Sequence, residues 1–84
     1  MWKITADHLA SVGERSKVGF GRTGTKVYTL FDKFRLYDDD GEMYYEGVSA
    51  GLETGFEPLN WAMAYAGCTE IRFLNFETGE WEIL

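Results

Sequence analysis

Apolar and polar residues alternate near the start of the chain and in its middle, which is the pattern of half-buried β-strands. Trp2 and Ile4 share one side of a strand that the pattern predicts over residues 1–5. Residues 33–37 and 42–48 alternate on either side of Asp38-Asp-Asp-Gly41. An Asp-Gly pair between alternating segments is a strong hairpin signal, because Gly accepts the positive φ that the turn requires. The middle of the chain is therefore predicted to be a β-hairpin.

The segment from Phe56 to Gly67 is predicted to form a helix. Pro58 suits its first position, and Gly67 suits a left-handed C-terminal end. Trp61 and Tyr65, four residues apart, share one face. Either they point outward as binding anchors, or the loop 11–25 folds over them and the helix uses both faces for packing. The opposite face is predicted to cover the sheet, and its members are Leu59, Ala62, Met63 and Ala66.

A second hairpin is predicted at the end of the chain, where residues 70–73 and 80–84 alternate around a turn at 75–79. Its predicted core-facing residues are Ile71, Phe73, Trp81 and Ile83, and its predicted water-facing residues are Glu70, Arg72, Glu80 and Glu82. Weaker patterns indicate a helical turn at 5–9, an edge strand near 18–20 and a short strand at 27–31. Together these elements predict an α+β fold, with a small antiparallel sheet of four to five strands and one helix packed on a face.

The length of 84 residues favours a single domain over residues 1–84, with one thin core. Cys68 is the only cysteine and His8 the only histidine, so a disulfide framework and a metal site made of several such residues are excluded. No apolar run reaches the roughly 18 residues of a membrane span, and no signal-peptide pattern begins the chain. We expect a cytoplasmic protein without membrane contact and without a cofactor, present as a monomer or homodimer.

The formal charge of −6 is divided unevenly along the chain. Residues 1–35 contain seven of the eight basic residues and three acids, whereas residues 36–84 contain one basic residue and eleven acids. Such asymmetry indicates a charged partner or pairing between the two parts within the fold. The acidic balance disfavours direct nucleic-acid binding, since phosphate contacts need Lys and Arg.

The basic N-terminal part contains Gly19-Phe-Gly-Arg-Thr-Gly24, which matches the glycine pattern of dinucleotide-binding loops. No clear strand precedes it and no periodic helix follows, so that interpretation is disfavoured. Its residues still permit an alternative, in which the basic glycine-rich loop 15–26 contacts phosphates or a single strand. The residues of that alternative are Lys17, Phe20, Arg22 and Lys26.

Three further arrangements were considered for chemistry. Alignment of the Asp38–Gly41 turn with a calcium loop places Leu36 and Gly47 where carboxylates are required, so no EF-hand is predicted. A weak cation site formed by Asp38, Asp40 and Glu42 stays open beside the simpler interpretation of a polar turn, and no metal site is predicted. His8 and Cys68 could form a base and a nucleophile, but no third group orients them. No catalytic residue is therefore assigned, and the protein is predicted not to be an enzyme.

Three blocks of this chain resemble a set of short bacterial proteins associated with phages, plasmids and other mobile elements. The resemblance includes the opening Trp2-Lys-Ile-Thr5 and His8-Leu9. Its main blocks are Phe34-Arg-Leu-Tyr-Asp-Asp-Asp-Gly-Glu-Met-Tyr-Tyr-Glu-Gly47, Gly55-Phe-Glu-Pro-Leu59 and Ala66-Gly-Cys-Thr-Glu-Ile-Arg-Phe73. The resemblance implies no established activity. It implies genomic company in which small acidic proteins inhibit host machinery, including anti-CRISPR proteins.

These observations favour a non-enzymatic inhibitor that binds a protein partner, for which a CRISPR effector complex is the leading candidate. Its acidic surface would occupy a groove that normally holds nucleic-acid phosphate. The predicted partner-binding residues are Asp38, Asp39, Asp40, Glu42, Glu46, Trp61, Tyr65, Glu80 and Glu82. The alternative is a small nucleic-acid-binding protein that uses the loop 15–26.

Overall fold

A computed structural model describes residues 1–9, 16–22, 32–50 and 55–84 of the chain, with only the backbone of Arg22 described. The elements in chain order are β1 (Trp2–Asp7), β2 (Gly21–Arg22), β3 (Asp32–Tyr37), β4 (Met43–Ser49), α1 (Glu57–Ala66), β5 (Glu70–Leu74) and β6 (Trp81–Ile83). The described strands form one antiparallel sheet in the order β2-β1-β4-β3-β5-β6. The predicted α+β class is confirmed, with five strands of three or more residues and the two-residue β2.

The predicted central hairpin is confirmed. β3 and β4 pair from Asp32 opposite Ser49 to Tyr37 opposite Met43, with a register shift after Leu36. The turn between them closes where Gly41 adopts a φ of +81° and its N–H donates to the Asp38 carbonyl at 3.2 Å. Glycine is needed there because other residues rarely adopt that backbone conformation.

The helix α1 packs on one face of the sheet and ends as predicted. Gly67 has a φ of +78° and its N–H donates to the Met63 carbonyl at 3.2 Å, while the Cys68 N–H reaches the Ala62 carbonyl at 3.3 Å. The helix begins at Glu57, so Pro58 is its second residue. The core between helix and sheet contains Trp2, Ile4, Phe34, Leu36, Tyr45, Leu59, Ala62, Cys68, Ile71 and Phe73. Met63 was predicted to cover the sheet, but it is exposed.

Gly47 is a core position at which only a glycine fits. It lies opposite Phe34 on the neighbouring strand β3, and the Phe34 ring covers it. A Cβ atom at Gly47 would lie 2.2 Å from Phe34 Cζ and 2.5 Å from the Lys3 carbonyl oxygen. The missing side chain therefore makes room for a ring that is completely buried.

Two weaker predictions about the N-terminal part were wrong. Residues 5–9 do not start a helical turn, because β1 continues through Asp7 and pairs with β4. The predicted edge strand near residues 18–20 lies slightly later, at Gly21–Arg22, where it pairs with Trp2 and Lys3. Backbone bonds from Ile4 to Phe20 and from Gly19 to Ile4, both 2.7 Å, hold the preceding segment against β1. The predicted strand at 27–31 lies outside the described residues.

The side chains of the last strand, β6, lie on the opposite faces of the sheet from those predicted. Trp81 lies across from Leu74 and Ile83 lies across from Arg72. Residues directly opposite each other share a face of the sheet, so both side chains lie on the face away from α1. We call this face the open face. Its residues include Lys3, Lys33, Arg35, Tyr37, Glu46, Val48, Glu70, Arg72, Leu74, Trp81 and Ile83. Accordingly Ile83 is exposed rather than buried in the core.

Candidate functional site: an acidic turn beside exposed aromatics

One end of the sheet collects several of the residues that the sequence singled out. The β3–β4 turn lies there, and so does the end of β1, because Asp7 pairs with Tyr45 and the His8 N–H donates to the Tyr44 carbonyl. The chain that leaves α1 reaches the same end, where the Thr69 N–H donates to the Tyr37 carbonyl at 2.9 Å. We call the turn residues Asp38–Glu42, together with the adjoining last turn of α1, the acidic end.

Asp38 organises the turn instead of presenting its charge to solvent. It is 8% exposed, and its Oδ1 accepts the backbone N–H groups of Asp40 at 2.9 Å and Glu42 at 2.8 Å. Burial alone would raise the pKa of Asp38, but hydrogen bonds from the Glu42 backbone and the Tyr44 hydroxyl outweigh it and lower that pKa below its usual value. Asp38 therefore fixes the backbone that carries its neighbours.

Asp39, Asp40 and Glu42 present the negative charge of the turn. All three are exposed, and none forms an ion pair with another described residue. Carboxylate oxygens of Asp38, Asp39 and Asp40 lie within 4.8 Å of one another. The backbone bonds to Asp38 account for that closeness, so the turn geometry needs no bound cation. The turn thus presents three exposed carboxylates that have no ion-pair partner in the described part of the chain, on a backbone held by Asp38.

The other predicted carboxylates lie elsewhere. Glu46 is on the open face, where Arg35 Nε donates to its Oε1 at 3.1 Å and His8 Nε2 lies 3.0 Å from its Oε2. Burial raises the pKa of Glu46, but the bonds with His8 and Arg35 lower it further than burial raises it. Glu80 lies at the opposite end of the sheet, about 17 Å from Tyr37 along the strands at about 3.4 Å per residue. Glu82 lies opposite Phe73, two strands from β3 and about 10 Å from Tyr37 along the strands. The predicted acidic set therefore does not form one surface.

The two aromatic residues predicted to be anchors have different environments. Trp61 is half-buried and packs against the core, with its ring centroid 4.7 Å from Phe20, 5.1 Å from Tyr45 and 5.7 Å from both Trp2 and Tyr65. For Trp61 the covered alternative applies, because rings of β1, β4 and the Phe20 segment pack against it. Tyr65 stacks on Trp61 at an interplanar angle of 12° and is 58% exposed.

Part of the alternative basic set joins these aromatics. Lys17 Nζ lies 4.6 Å from the centre of the Tyr65 ring, and Phe20 stacks on Trp61. The Asp7 carboxylate holds the segment in place, since its Oδ2 accepts the Lys17 N–H at 2.8 Å. The side chain of Arg22 and all of Lys26 lie outside the described residues. Residues of the predicted partner-binding set (Trp61 and Tyr65) and of the alternative nucleic-acid-binding set (Lys17 and Phe20) therefore meet at one flank of the helix. There Lys17 contacts the Tyr65 ring and its backbone is bonded to Asp7.

His8 and Cys68 are in different environments. The His8 ring is on the surface and contacts Glu46, whereas Cys68 is completely buried. Burial, with a smaller contribution from the charge of Asp38, raises the pKa of the Cys68 thiol to about 11. A nucleophilic cysteine needs a lowered pKa, so burial disfavours the reactive form of this one.

Arginine–aromatic pairs on the open face are the feature that the sequence analysis missed. Arg35 lies over the Trp81 ring and Arg72 lies over the Tyr37 ring. Their shared face was readable from the alternation of each strand, but the pairing of Arg35 with Trp81 also requires the orientation of β6. The sequence analysis had assigned Trp81 to the core.

The described residues contain no helix with both the length and the apolar character that a membrane span requires. Comparison with family models, curated proteins and solved structures found no match. The case for a function therefore depends on the geometry of this chain.

Proposed function

We propose that the protein is a non-enzymatic inhibitor that binds another protein through its acidic end. The observation that carries the proposal is the turn in which buried Asp38 fixes three exposed carboxylates without ion-pair partners among the described residues. Fixed negative charge of this kind complements a groove lined by Lys and Arg. It accelerates association and selects partners more than it adds affinity.

Affinity would come from Tyr65, which stands in the last turn of α1 with 58% of its surface exposed. Tyrosine is enriched among the residues that dominate binding energy at interfaces. Its ring is already oriented by stacking on Trp61, so binding loses little side-chain entropy at this position. The acidic turn and Tyr65 together would give both steering and an anchor.

The partner class follows from the charge and from the resemblance to proteins of mobile elements. A groove that normally holds nucleic-acid phosphate is rich in Lys and Arg, and Asp39, Asp40 and Glu42 would occupy the positions of phosphates there. We therefore propose a nucleic-acid-handling complex of the host as partner, with a CRISPR effector complex as the first candidate and an anti-CRISPR role in the cytoplasm as the consequence.

The experiment is a pull-down of purified CRISPR effector complexes with the tagged protein, at about 0.05 M and about 0.5 M salt. We expect capture at the lower salt concentration and strong loss at the higher one. The triple variant Asp39→Asn, Asp40→Asn, Glu42→Gln should lose capture. The matched control Glu77→Gln, Glu80→Gln, Glu82→Gln removes the same number of charges in the β5–β6 hairpin and should retain it.

Three results would contradict the proposal. They are capture that does not depend on salt, equal loss in both triple variants, and no capture of any effector complex by the wild-type protein. Thermal unfolding of both variants should match the wild type, because the substituted carboxylates are exposed. A Tyr65→Ala variant should weaken capture at both salt concentrations while leaving its salt dependence unchanged.

A further inference from the structure

Two arginines lie directly opposite each other at the centre of the open face. Arg35 on β3 pairs with Arg72 on β5, which places their Cα atoms about 4.5–5.5 Å apart. Like charges in this position destabilise a sheet. Each arginine also forms an ion pair with a carboxylate, Arg35 with Glu46 and Arg72 with Glu70, which offsets part of this cost.

Each arginine lies against an aromatic ring and a carboxylate. Arg35 Cζ lies 3.9 Å from the centre of the Trp81 ring, and Arg72 Cζ lies 4.3 Å from the centre of the Tyr37 ring. In each case the Nε group also bonds to a carboxylate, Glu46 for Arg35 and Glu70 for Arg72. About a third of each arginine side chain remains exposed. An aromatic ring therefore lies against each arginine, and the exposed third of the side chain is what a ligand can contact.

Further cations surround the arginine pair. Lys33 and Lys3 both pair with Val48, one from each neighbouring strand, so they flank the same position of the open face. A groove of about 260 Å³ beside them is lined by residues that include Lys33, Arg35 and Trp81. Across β1, β3, β4 and β5, four cations and two carboxylates give the open face a formal charge of +2, in a protein whose total is −6.

We propose that the open face binds single-stranded nucleic acid. Two successive bases stack on the exposed parts of Arg35 and Arg72, and the adjoining phosphates lie beside Lys33 and Lys3. Stacking on guanidinium planes and on sheet surfaces is a recurring mode of single-strand recognition. The phosphates lie away from the acidic end, because Lys33 is five residues before Asp38, about 17 Å along the strand at about 3.4 Å per residue. Charges about 10 Å apart or more are largely screened at physiological salt.

Other occupants fit the open face less well. A second copy would bring two surfaces of charge +2 together, so like charge disfavours a symmetric dimer here. An acidic peptide matches the charge but has no flat groups to stack on the two arginines. The proposal does not depend on the acidic end.

The test is fluorescence anisotropy with a labelled oligothymidylate of about a dozen nucleotides and the full-length protein. We expect a dissociation constant of about 1–100 µM. The slope of log affinity against log salt should be about −1.4, because Lys33 and Lys3 contact phosphates and each contact in a single strand contributes about −0.7. Lys33→Gln should reduce that slope by about 0.7. Lys33 is exposed, so the variant should fold normally.

Arg72→Lys separates stacking from charge, because lysine keeps the charge without the plane. It should weaken binding by about fivefold or more while the salt slope stays unchanged. The control Lys17→Gln removes one charge beside the helix and should leave affinity nearly unchanged. The proposal is overturned by any of three results: no binding at low salt, loss on Lys17→Gln but not on Lys33→Gln, or equal binding of an oligoglutamate peptide of the same length.

Discussion

Truncation of Trp61 tests whether this residue belongs to the core or to a binding surface. In the structure its ring contacts four other aromatic rings at centroid distances of 4.7–5.7 Å. Removal of a fully buried Trp costs about 3–5 kcal/mol, and Trp61 is half-buried, so we take about 3 kcal/mol for Trp61→Ala. An 84-residue domain unfolds with an entropy of about 0.18 kcal/mol/K. The melting temperature should therefore fall by about 17 °C.

The assay is urea unfolding followed by circular dichroism, with a thermal melt of the same samples. Tyr65→Ala is the matched control, because this residue shares the stack but is 58% exposed, and its cost should stay below about 1 kcal/mol. A loss below about 1 kcal/mol for Trp61→Ala would refute the reasoning. So would an equal loss for the two variants, since burial would then not separate them.

Three further predictions concern stability and reactivity. Gly47→Ala should destabilise by about 1–3 kcal/mol or more in urea, because its Cβ would lie 2.2 Å from Phe34 Cζ; a change below about 0.5 kcal/mol would contradict the close packing. Cys68 should resist iodoacetamide at pH 8–9 (about the thiol's ordinary pKa) in the native state and react in urea. Rapid labelling of the native protein would contradict the burial. The raised pKa of Cys68 also means that its contribution to stability is retained below the ordinary value of 9.0 and falls as pH rises towards about 11. Asp38 has a lowered pKa, so its stabilising effect is present above about pH 4 and is lost as pH falls further. Asp38→Asn should therefore show a smaller loss of melting temperature from about pH 5 to pH 2 than the wild type, and parallel curves would contradict the role of its charge.

The elements predicted correctly are those with local signals. The Asp-Gly turn and the alternation around it determine the β3–β4 hairpin, and Gly67 determines the end of α1. The faces taken by the side chains of β6 were predicted wrongly, because they depend on how many residues the turn at 75–80 inserts between Leu74 and Trp81. A shift of one residue there moves every side chain of the strand to the other face.

The candidate site was predictable only in part, for a similar reason. Three of the carboxylates of the acidic end follow one another in sequence, so their proximity needed no tertiary information. The separation of Glu80 from them, the neutralisation of Glu46 by Arg35 and the burial of Trp61 all depend on strand order and helix placement. Charge counted along the sequence could not show which carboxylates find partners.

The strand order also affects how the chain can fold during synthesis. β1 is made before its partner strand β4, which lies about 45 residues further along the chain, with Lys3 opposite Val48. Trp2 and Ile4, two large core residues, therefore lack this sheet neighbour until that segment has been made. The β3–β4 hairpin joins adjacent segments and can form as soon as both have emerged. We expect it to serve as the template onto which the beginning of the chain, and then β5 and β6, are added.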